Sequence, residues 1–388
     1  MKKVILLFSI ICVGKILAQK PETVLSFARE KHEISWYETQ QKLWKQEIDK
    51  NKTNGEAWYN YFRANRALAY LLPSEITNQK ESEALREKLS KESNSIVEQA
   101  YATIPNSFEA NLMKSVQNNL DGTSFLLKAY EINPYDVRAF DALMVYYETI
   151  QNQAEFQKFA TKMFQYNVLP SSLLNWGYNI ISELDENAIL FTAGDNDTYA
   201  CWIVQEVLNF RKDVQIINTS LILDDEYRSR IFKKLNIPDL KISLKVSKTN
   251  EEYEKNVAKI FTHIWENKKV VYTSASAMHT FQKDYESELF LTGLAYKFSR
   301  ENIENDAIIR RNYEKRYLLD HIKYNFSFNV GDNFSIEFNS MYLPSMLKLY
   351  KNYKESEEFS KMKELEELIL LISEKSGQKD EVLKEMNH

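Results

Sequence analysis

The sequence predicts a mixed α and α/β chain: helices over residues 19–182, a small α/β domain over 183–300, and helices again over 301–388. In the first and last parts, apolar residues recur at the spacing of one helix face. In the middle part, short apolar runs that end at Gly or polar residues alternate with an amphipathic stretch. Gly and Pro are scarce, with 8 and 7 residues, which disfavours a loop-rich all-β protein.

The first 18 residues have the features of a secretory signal peptide. Lys2 and Lys3 precede an apolar run from Val4 to Gly14, and Ala18 supplies a small residue at the expected cleavage point. The run is too short to span a bilayer. We therefore expect cleavage after Ala18, no transmembrane segment in the mature chain, and a periplasmic or secreted protein. The alternative is an uncleaved N-terminal anchor.

The charge of the mature chain limits its partners. Cleavage would remove Lys2, Lys3 and Lys15, so the formal net charge would change from −5 to −8. An acidic chain without a block of basic residues is poorly suited to nucleic acid or anionic lipid. Cleavage would also leave Cys201 as the only cysteine, so stability must come from core packing and not from an internal disulfide.

Two similar segments mark the N-terminal helical part. QAYATIPNSFEA (99–110) and KAYEINPYDVRA (128–139) share Ala, Tyr, Pro and Ala at a constant offset of 29 residues. Each Pro lacks the N–H needed to continue a helix, so it predicts a break between two helices, and the small Ala lets those helices approach closely. The pattern resembles a tetratricopeptide repeat, whose helix pairs stack into a solenoid. An irregular helical bundle is the alternative.

The central part predicts alternating strands and helices. NAILFTAG (187–194) is typical of a buried strand, TYACWIVQEVLNF of a helix, and DVQIINTSLI (213–222) of a second strand. This order predicts parallel strands joined by a right-handed crossover. A helix over 250–266, a strand in KKVVYTSAS and one more strand in ELFLTGLAYKF complete a small parallel α/β (βαβ) domain of three layers.

The C-terminal part predicts a closing helix pair. Leu365, Leu368, Ile369 and Ile372 form an apolar stripe at helix spacing within a highly charged stretch. The segment SMYLPSMLKLYKNY, which precedes it, supplies the second helix. We interpret the stripe as core packing, with a partner surface as the alternative.

The clearest candidate site is the acidic turn after the first predicted strand. The candidate ligand-binding residues there, and after the second strand, are Asp195, Asn196, Asp197, Thr198, Asn218 and Ser220. Ligands bind beyond the carboxyl ends of parallel strands. Carboxylates of Asp195 and Asp197 could bind a divalent cation or accept sugar hydroxyls, but they would repel a phosphate. The competing interpretation is a helix cap, for which Asp and Asn are favoured.

We assign no catalytic residue from the sequence, and no cofactor beyond that possible divalent cation. The five histidines show no metal-binding spacing such as HExxH. A GxSxG elbow and a Gly-rich phosphate loop are both missing from the sequence. Cys201 lies beside Trp202 inside the predicted helix, where packing is its expected role.

Residues 188–222 resemble the soluble C-terminal segment of bacterial protein O-mannosyltransferase-like membrane proteins, a domain of unknown function. The shared features are the turn Gly194-Asp195-Asn196-Asp197-Thr198, then Trp202, Gln205-Glu206-Val207, Arg211, Asp213-Val214 and Asn218-Thr219-Ser220-Leu221. A Gly-Leu-Ala-Tyr step within 291–298 is also similar. The resembled proteins carry a multi-pass membrane region before this segment, where this chain has helices, so transferase activity is not expected to carry over.

The sequence therefore predicts an exported, non-catalytic interaction protein. Its tetratricopeptide-like helices would present the α/β domain to protein partners in the cell envelope, or to glycan, in a protein glycosylation or assembly system. The first alternative is a sugar- or divalent-metal-binding module that uses Asp195, Asn196 and Asp197. The second alternative is a glycosyltransferase-related enzyme.

Overall fold

The structure is a computed structural model that describes residues 20–26, 29–117, 122–240, 250–324 and 332–387. The predicted signal peptide, residues 1–18, lies outside the described residues. The described chain divides into two compact units. Of the described residues, 20–25 and 32–117 form the first, and 26, 29–31 and those from 122 onward form the second. The domain boundaries expected at residues 182 and 300 stay predictions.

The first unit contains four helices in its described part. They are α1 (Ile34–Lys50), α2 (Gly55–Ser74), α3 (Gln79–Thr103) and α4 (Phe108–Gln117). Pro105 lies between the end of α3 and the start of α4, so the helix break predicted from Pro105 is confirmed. Ala100 and Ala110 are fully buried, as expected where two helices approach closely.

The second unit begins with four helices. They are α5 (Thr123–Ile132), α6 (Phe140–Thr149), α7 (Gln153–Gln165) and α8 (Ser171–Glu183). α5 ends just before Pro134, and Ala129 and Ala139 are fully buried. The predicted break is therefore confirmed here as well, whereas the assignment of these helices to tetratricopeptide repeats stays a prediction.

A five-stranded sheet follows in the second unit. Its strands are β1 (Ile189–Thr192), β2 (Gln215–Asn218), β3 (Val271–Ser274), β4 (Leu289–Leu291) and β5 (Ala295–Phe298), in the spatial order β2-β1-β3-β5-β4. β1 pairs in parallel with both β2 and β3. β5 pairs antiparallel with β3, and β4 pairs antiparallel with β5. The sheet is therefore mixed, and the prediction of a parallel sheet was wrong for its last two strands.

The error lies in the segment ELFLTGLAYKF, which was expected to form one strand. It forms β4, a tight turn and β5. Gly293 in that turn has φ +157°, and a Cβ atom there would collide with Tyr317 and with the carboxylate of Glu183. Glycine fits this backbone conformation and leaves room for the side chains of Tyr317 and Glu183. Gly293 therefore allows the chain to reverse, and β5 returns antiparallel to β4.

Helices cover both faces of the sheet. α9 (Asp195–Leu208) connects β1 to β2, whereas α10 (Asp225–Leu235) and α11 (Asn250–Glu266) lie between β2 and β3. These two connections run in opposite directions along the sheet, so right-handed crossovers place α9 on one face and α10 and α11 on the other. Ile189, Phe191 and Val271 lie on the second face of the sheet, in one cluster with residues of α10, α11 and α12 (Met278–Tyr285).

The second unit ends in a group of helices. They are α13 (Asn305–Lys315), α14 (Asp320–Lys323), α15 (Asp332–Ser340), α16 (Leu343–Glu355), α17 (Phe359–Ser376) and α18 (Lys379–Asn387). The predicted stripe of Leu365, Leu368, Ile369 and Ile372 is buried on α17, which packs against α16. Core packing of the stripe is therefore confirmed. In the described part of the chain, no helix combines the length and apolar character needed to cross a bilayer.

Candidate functional site

The acidic turn joins β1 to α9. Gly194, which precedes the first residue of α9, has no side chain that could accept from the free N–H groups of the helix. Asp197 turns back from the first turn of α9 and accepts from the backbone instead. Its Oδ1 accepts from Gly194 N at 2.9 Å, and its Oδ2 accepts from Ala193 N at 2.9 Å. This is the returning half of a capping box, made by a carboxylate.

Asp197 uses its carboxylate inside the protein. The residue is 1% exposed. Besides the two turn amides, it accepts from Thr198 N at 2.9 Å and from the hydroxyl of Ser276 at 2.5 Å. Burial raises the pKa of Asp197, and the hydrogen bonds oppose that rise. With its acceptor positions taken by four donors, this carboxylate organises the turn and has little capacity left for a ligand.

Ser274 and Ser276 are site residues that the sequence reasoning missed. In the order β2-β1-β3, the connections reverse direction between β1 and β3, and such a point is where open α/β sheets form a ligand crevice. Here that position contains Asp197, whose Oδ2 accepts from Ser276 and, at 3.4 Å, from Ser274. The Ser-Ala-Ser that ends KKVVYTSAS was the signal for these residues, but nothing in the sequence places them beside β1.

Thr198 and Asn218 come together, as the sequence predicted for adjacent strand ends. The amide of Asn218 donates to Thr198 Oγ1 at 3.0 Å, and Thr198 donates to the carbonyl of Gly194 at 2.6 Å. Asn218 Oδ1 accepts from the amides of Ser220 and Leu221 at 2.9 and 3.1 Å. Both residues are buried, so their polar groups fix the two turns relative to each other.

Asp195 occupies a different environment from Asp197. It is exposed on the first turn of α9 and lines a cleft of about 140 Å³, which we call the turn cleft, together with Tyr199, Asn218 and Ser220. Although the residue as a whole is exposed, desolvation of its carboxyl group in the cleft raises the pKa of Asp195, and the negative charge of Asp141 raises it further. Burial raises the pKa of Tyr199 well above its usual value, so Tyr199 stays neutral and its hydroxyl donates to Asp195.

Ser220 and Asn196 are the remaining candidate residues. Ser220 is exposed, and its hydroxyl lies 3.3 Å from the hydroxyl of Tyr253. Asn196 is half-buried on the first turn of α9. Cys201 is fully buried, and burial raises the pKa of its thiol well above the usual value. Within the ranges that the structure describes, no group of three His, Cys, Asp or Glu residues is placed to hold a metal ion.

Sequence comparison places this site within a known family model. Residues 173–348 match the model of TMEM260-associated domain 2, a domain of unknown function. The match covers just under half of the chain, from α8 to the first turns of α16. It includes the whole sheet and Asp195, Asn218 and Ser220 of the turn cleft. No curated protein matches the chain.

Proposed function

We propose that this chain is an exported, non-catalytic binding protein whose helices contact a protein partner in the cell envelope. The proposal is supported by a concentration of water-exposed apolar side chains from α5 to the residue that follows α7. Seven of them are between 37% and 71% exposed: Leu127, Ile132, Tyr135, Val137, Ile150, Phe164 and Tyr166. Exposed apolar side chains that form a patch, as opposed to single ones, are typical of interaction sites.

Two members of this set, Tyr135 and Tyr166, are linked through Lys162 and Phe140. The ammonium of Lys162 lies 5.6 Å from the ring centre of Tyr130 and 5.9 Å from that of Tyr135. It also lies 5.0 Å from the ring of the buried Phe140, against which Tyr166 packs at 5.5 Å. We call Tyr130, Tyr135, Lys162 and Tyr166 the aromatic surface. Tyrosine is among the residues that are enriched at the core of protein interfaces.

The aromatic surface favours a partner with apolar and acidic side chains. Lys162 donates to the carbonyl of Pro134 at 3.3 Å, and no carboxylate of the described residues pairs with it. A partner carboxylate would supply that charge. We place the partner in a glycosylation or assembly system of the cell envelope, on the ground of the resemblance of residues 188–222 to the O-mannosyltransferase-like proteins.

A photo-crosslinking side chain at position 135 tests the aromatic surface. We expect it to yield one discrete adduct in envelope extracts, and Tyr166→Ser to reduce the yield about tenfold by removing apolar contact area. The matched control is position 359, because Phe359 is 61% exposed but lies on α17. Equal adducts from positions 135 and 359 would contradict a specific surface.

Sugar binding in the turn cleft is the second candidate function. Asp195 and Ser220 line the cleft, where a carboxylate and a hydroxyl can bind sugar hydroxyl groups. A divalent cation is less well supported, because the acceptor positions of Asp197 are taken by four donors.

Calorimetric titration of mannose and of Ca²⁺ tests the turn cleft. We expect saturable mannose binding that weakens about tenfold in Asp195→Asn, since a hydrogen bond to a charged group is lost. Glu226→Gln is the control, because Glu226 is an exposed acid on α10. Mannose binding that is unchanged in Asp195→Asn would exclude this candidate, and Ca²⁺ binding that depends on Asp195 would favour the metal instead.

A further inference from the structure

A groove of about 470 Å³ lies at the end of α8, separate from the turn cleft. Its lining includes Tyr178, Phe210, Glu186, Lys315 and Arg316. Small-molecule sites in proteins have volumes of roughly 300–1,000 Å³. The groove therefore has room for a small ligand.

Arg211 and Arg316 bind the free carbonyl groups at the end of α8. The guanidinium of Arg211 donates to Ile181, Leu184 and Asp185 carbonyls, and it forms a two-point ion pair with Asp213. These contacts use all five of its N–H groups. The negative end of the helix is thus already neutralised, so it would not repel an anion in the groove.

Arg316 has unused donors. Its Nη1 donates to the carbonyls of Ser182 and Glu183 at 2.8 and 3.0 Å. Its Nε and Nη2 groups donate to no acceptor in the part of the chain that the structure describes. These N–H groups belong to a half-buried side chain that lines the groove. Arginine N–H groups in this arrangement match the oxygen atoms of a phosphate.

The two largest charge effects on Arg316 come from other cations. Burial lowers the pKa of Arg316, and the nearby positive charges of Arg311 and Arg211 lower it further. Lys315 adds an exposed cation. The carboxylate of Asp185 is already paired with Lys297 at 2.5 Å. A bound anion would relieve the repulsion among these cations. The negative charges of Asp185 and Glu183 act on Arg316 in the opposite sense, and Glu186 adds an exposed acid on the lining.

An aromatic pair forms another wall of the groove. The rings of Tyr178 and Phe210 stack with centroids 4.5 Å apart and an interplanar angle of 13°. Both residues are half-buried, so the pair presents apolar surface next to the cations. Such a wall suits the ring of a ligand whose charged group lies against Arg316.

We propose that this groove binds a small organic phosphate, with its phosphate on Arg316 and Lys315 and its ring against Tyr178 and Phe210. The proposal does not depend on the function proposed above, because it uses neither the aromatic surface nor the turn cleft. The chemistry of the groove defines the class of ligand, which is an anionic, oxygen-rich group attached to a ring.

Calorimetric titration of the full chain with three probes tests the ligand class. We expect phenyl phosphate to bind saturably at millimolar concentration or below, inorganic phosphate to bind about tenfold more weakly, and phenol to show no saturation. Added salt should weaken the phenyl phosphate affinity. Inorganic phosphate that binds as tightly as phenyl phosphate would overturn the role of the aromatic wall, and no saturable binding of either would overturn the site.

Four variants locate the binding. Arg316→Ala should weaken phenyl phosphate binding by about tenfold or more, and Lys315→Gln by a smaller factor. Glu186→Gln should strengthen it, because a repelling charge is removed. Phe210→Ala should weaken phenyl phosphate and leave inorganic phosphate unchanged.

The control variant is Lys233→Gln, since Lys233 is an exposed cation on α10. If Arg316→Ala does not fold, the exposed pair Lys315→Gln and Glu186→Gln still decides the question, because the two must shift the affinity in opposite directions. Equal affinities in those two variants and in Lys233→Gln would overturn the proposal.

Discussion

Replacing Glu183 by Gln is expected to destabilise the second unit by about 2–4 kcal/mol, a large effect for one isosteric change. Glu183 is 1% exposed at the end of α8. Its carboxylate accepts from the amides of Leu294 and Ala295, each at 2.9 Å, and from the hydroxyls of Thr292 and Tyr317. One side chain thus holds the β4–β5 turn and the segment after α13 against α8.

Glutamine cannot reproduce these contacts. Leu294 N donates to Oε2 and Ala295 N donates to Oε1. The two hydroxyl groups can rotate, but the two backbone amides cannot. Whichever orientation the glutamine amide takes, its NH₂ group faces one of those N–H groups and leaves a buried donor without an acceptor.

Urea unfolding followed by tryptophan fluorescence measures this effect. The matched control is Glu186→Gln, since Glu186 is exposed three residues farther along the chain and should change the free energy of unfolding by less than about 0.5 kcal/mol. A midpoint for Glu183→Gln that equals the control midpoint would show that the four contacts are dispensable.

The difference in stability between the wild type and Glu183→Gln is also expected to depend on pH. Burial is the largest cause that raises the pKa of Glu183, from 4.5 to about 7. Between these two values the folded state binds more protons at this group than the unfolded state. The contribution of Glu183 to stability is therefore fully present below about pH 4.5 and decreases as the pH rises through about 7. The difference in the free energy of unfolding between the wild type and Glu183→Gln should therefore decrease as the pH is raised from about 4.5 through about 7.

Local features of this fold could be predicted from the sequence. The apolar run before Gly194 predicted β1, and the amphipathic stretch after it predicted α9. Pro105 and Pro134 predicted the two helix breaks. In each case the signal and the structure lie within one element, because periodicity and turn chemistry are local properties. The hairpin at Gly293 also had a local signal, a glycine inside an apolar run, which the prediction passed over.

Contacts between distant segments could not be predicted in the same way. Glu183 is the last residue of α8, and nothing in the sequence of that helix marks it as buried. Its partner Tyr317 lies 134 residues farther along the chain. Ser276, which donates to Asp197, lies 79 residues after it. In the sequence, a polar residue that such distant partners bury cannot be distinguished from a polar residue on the surface. The candidate turn was therefore located correctly, but the different environments of Asp195 and Asp197 required the structure.

Replacing Asp197 by Asn is the second large expected effect, of about 2–4 kcal/mol in the free energy of unfolding. Asp197 Oδ1 accepts from the amides of Gly194 and Thr198, whereas Oδ2 accepts from the amide of Ala193 and the hydroxyl of Ser276. Each oxygen thus has at least one fixed backbone donor. The NH₂ group of asparagine must face one of them in either orientation, at a site that excludes water.

Asp195→Asn is the matched control, because it changes the same side chain two residues earlier on the same helix turn. Asp195 is exposed, so we expect a loss below about 1 kcal/mol, and thermal unfolding followed by circular dichroism compares the two. A large loss in the free energy of unfolding for Asp197→Asn, with a small loss for Asp195→Asn, means that Asp197 maintains the fold and that Asp195 is not needed for it. Equal small losses would mean that Asp197 is not needed to hold β1, α9 and β3 together, and its carboxylate would again be a candidate for ligand binding.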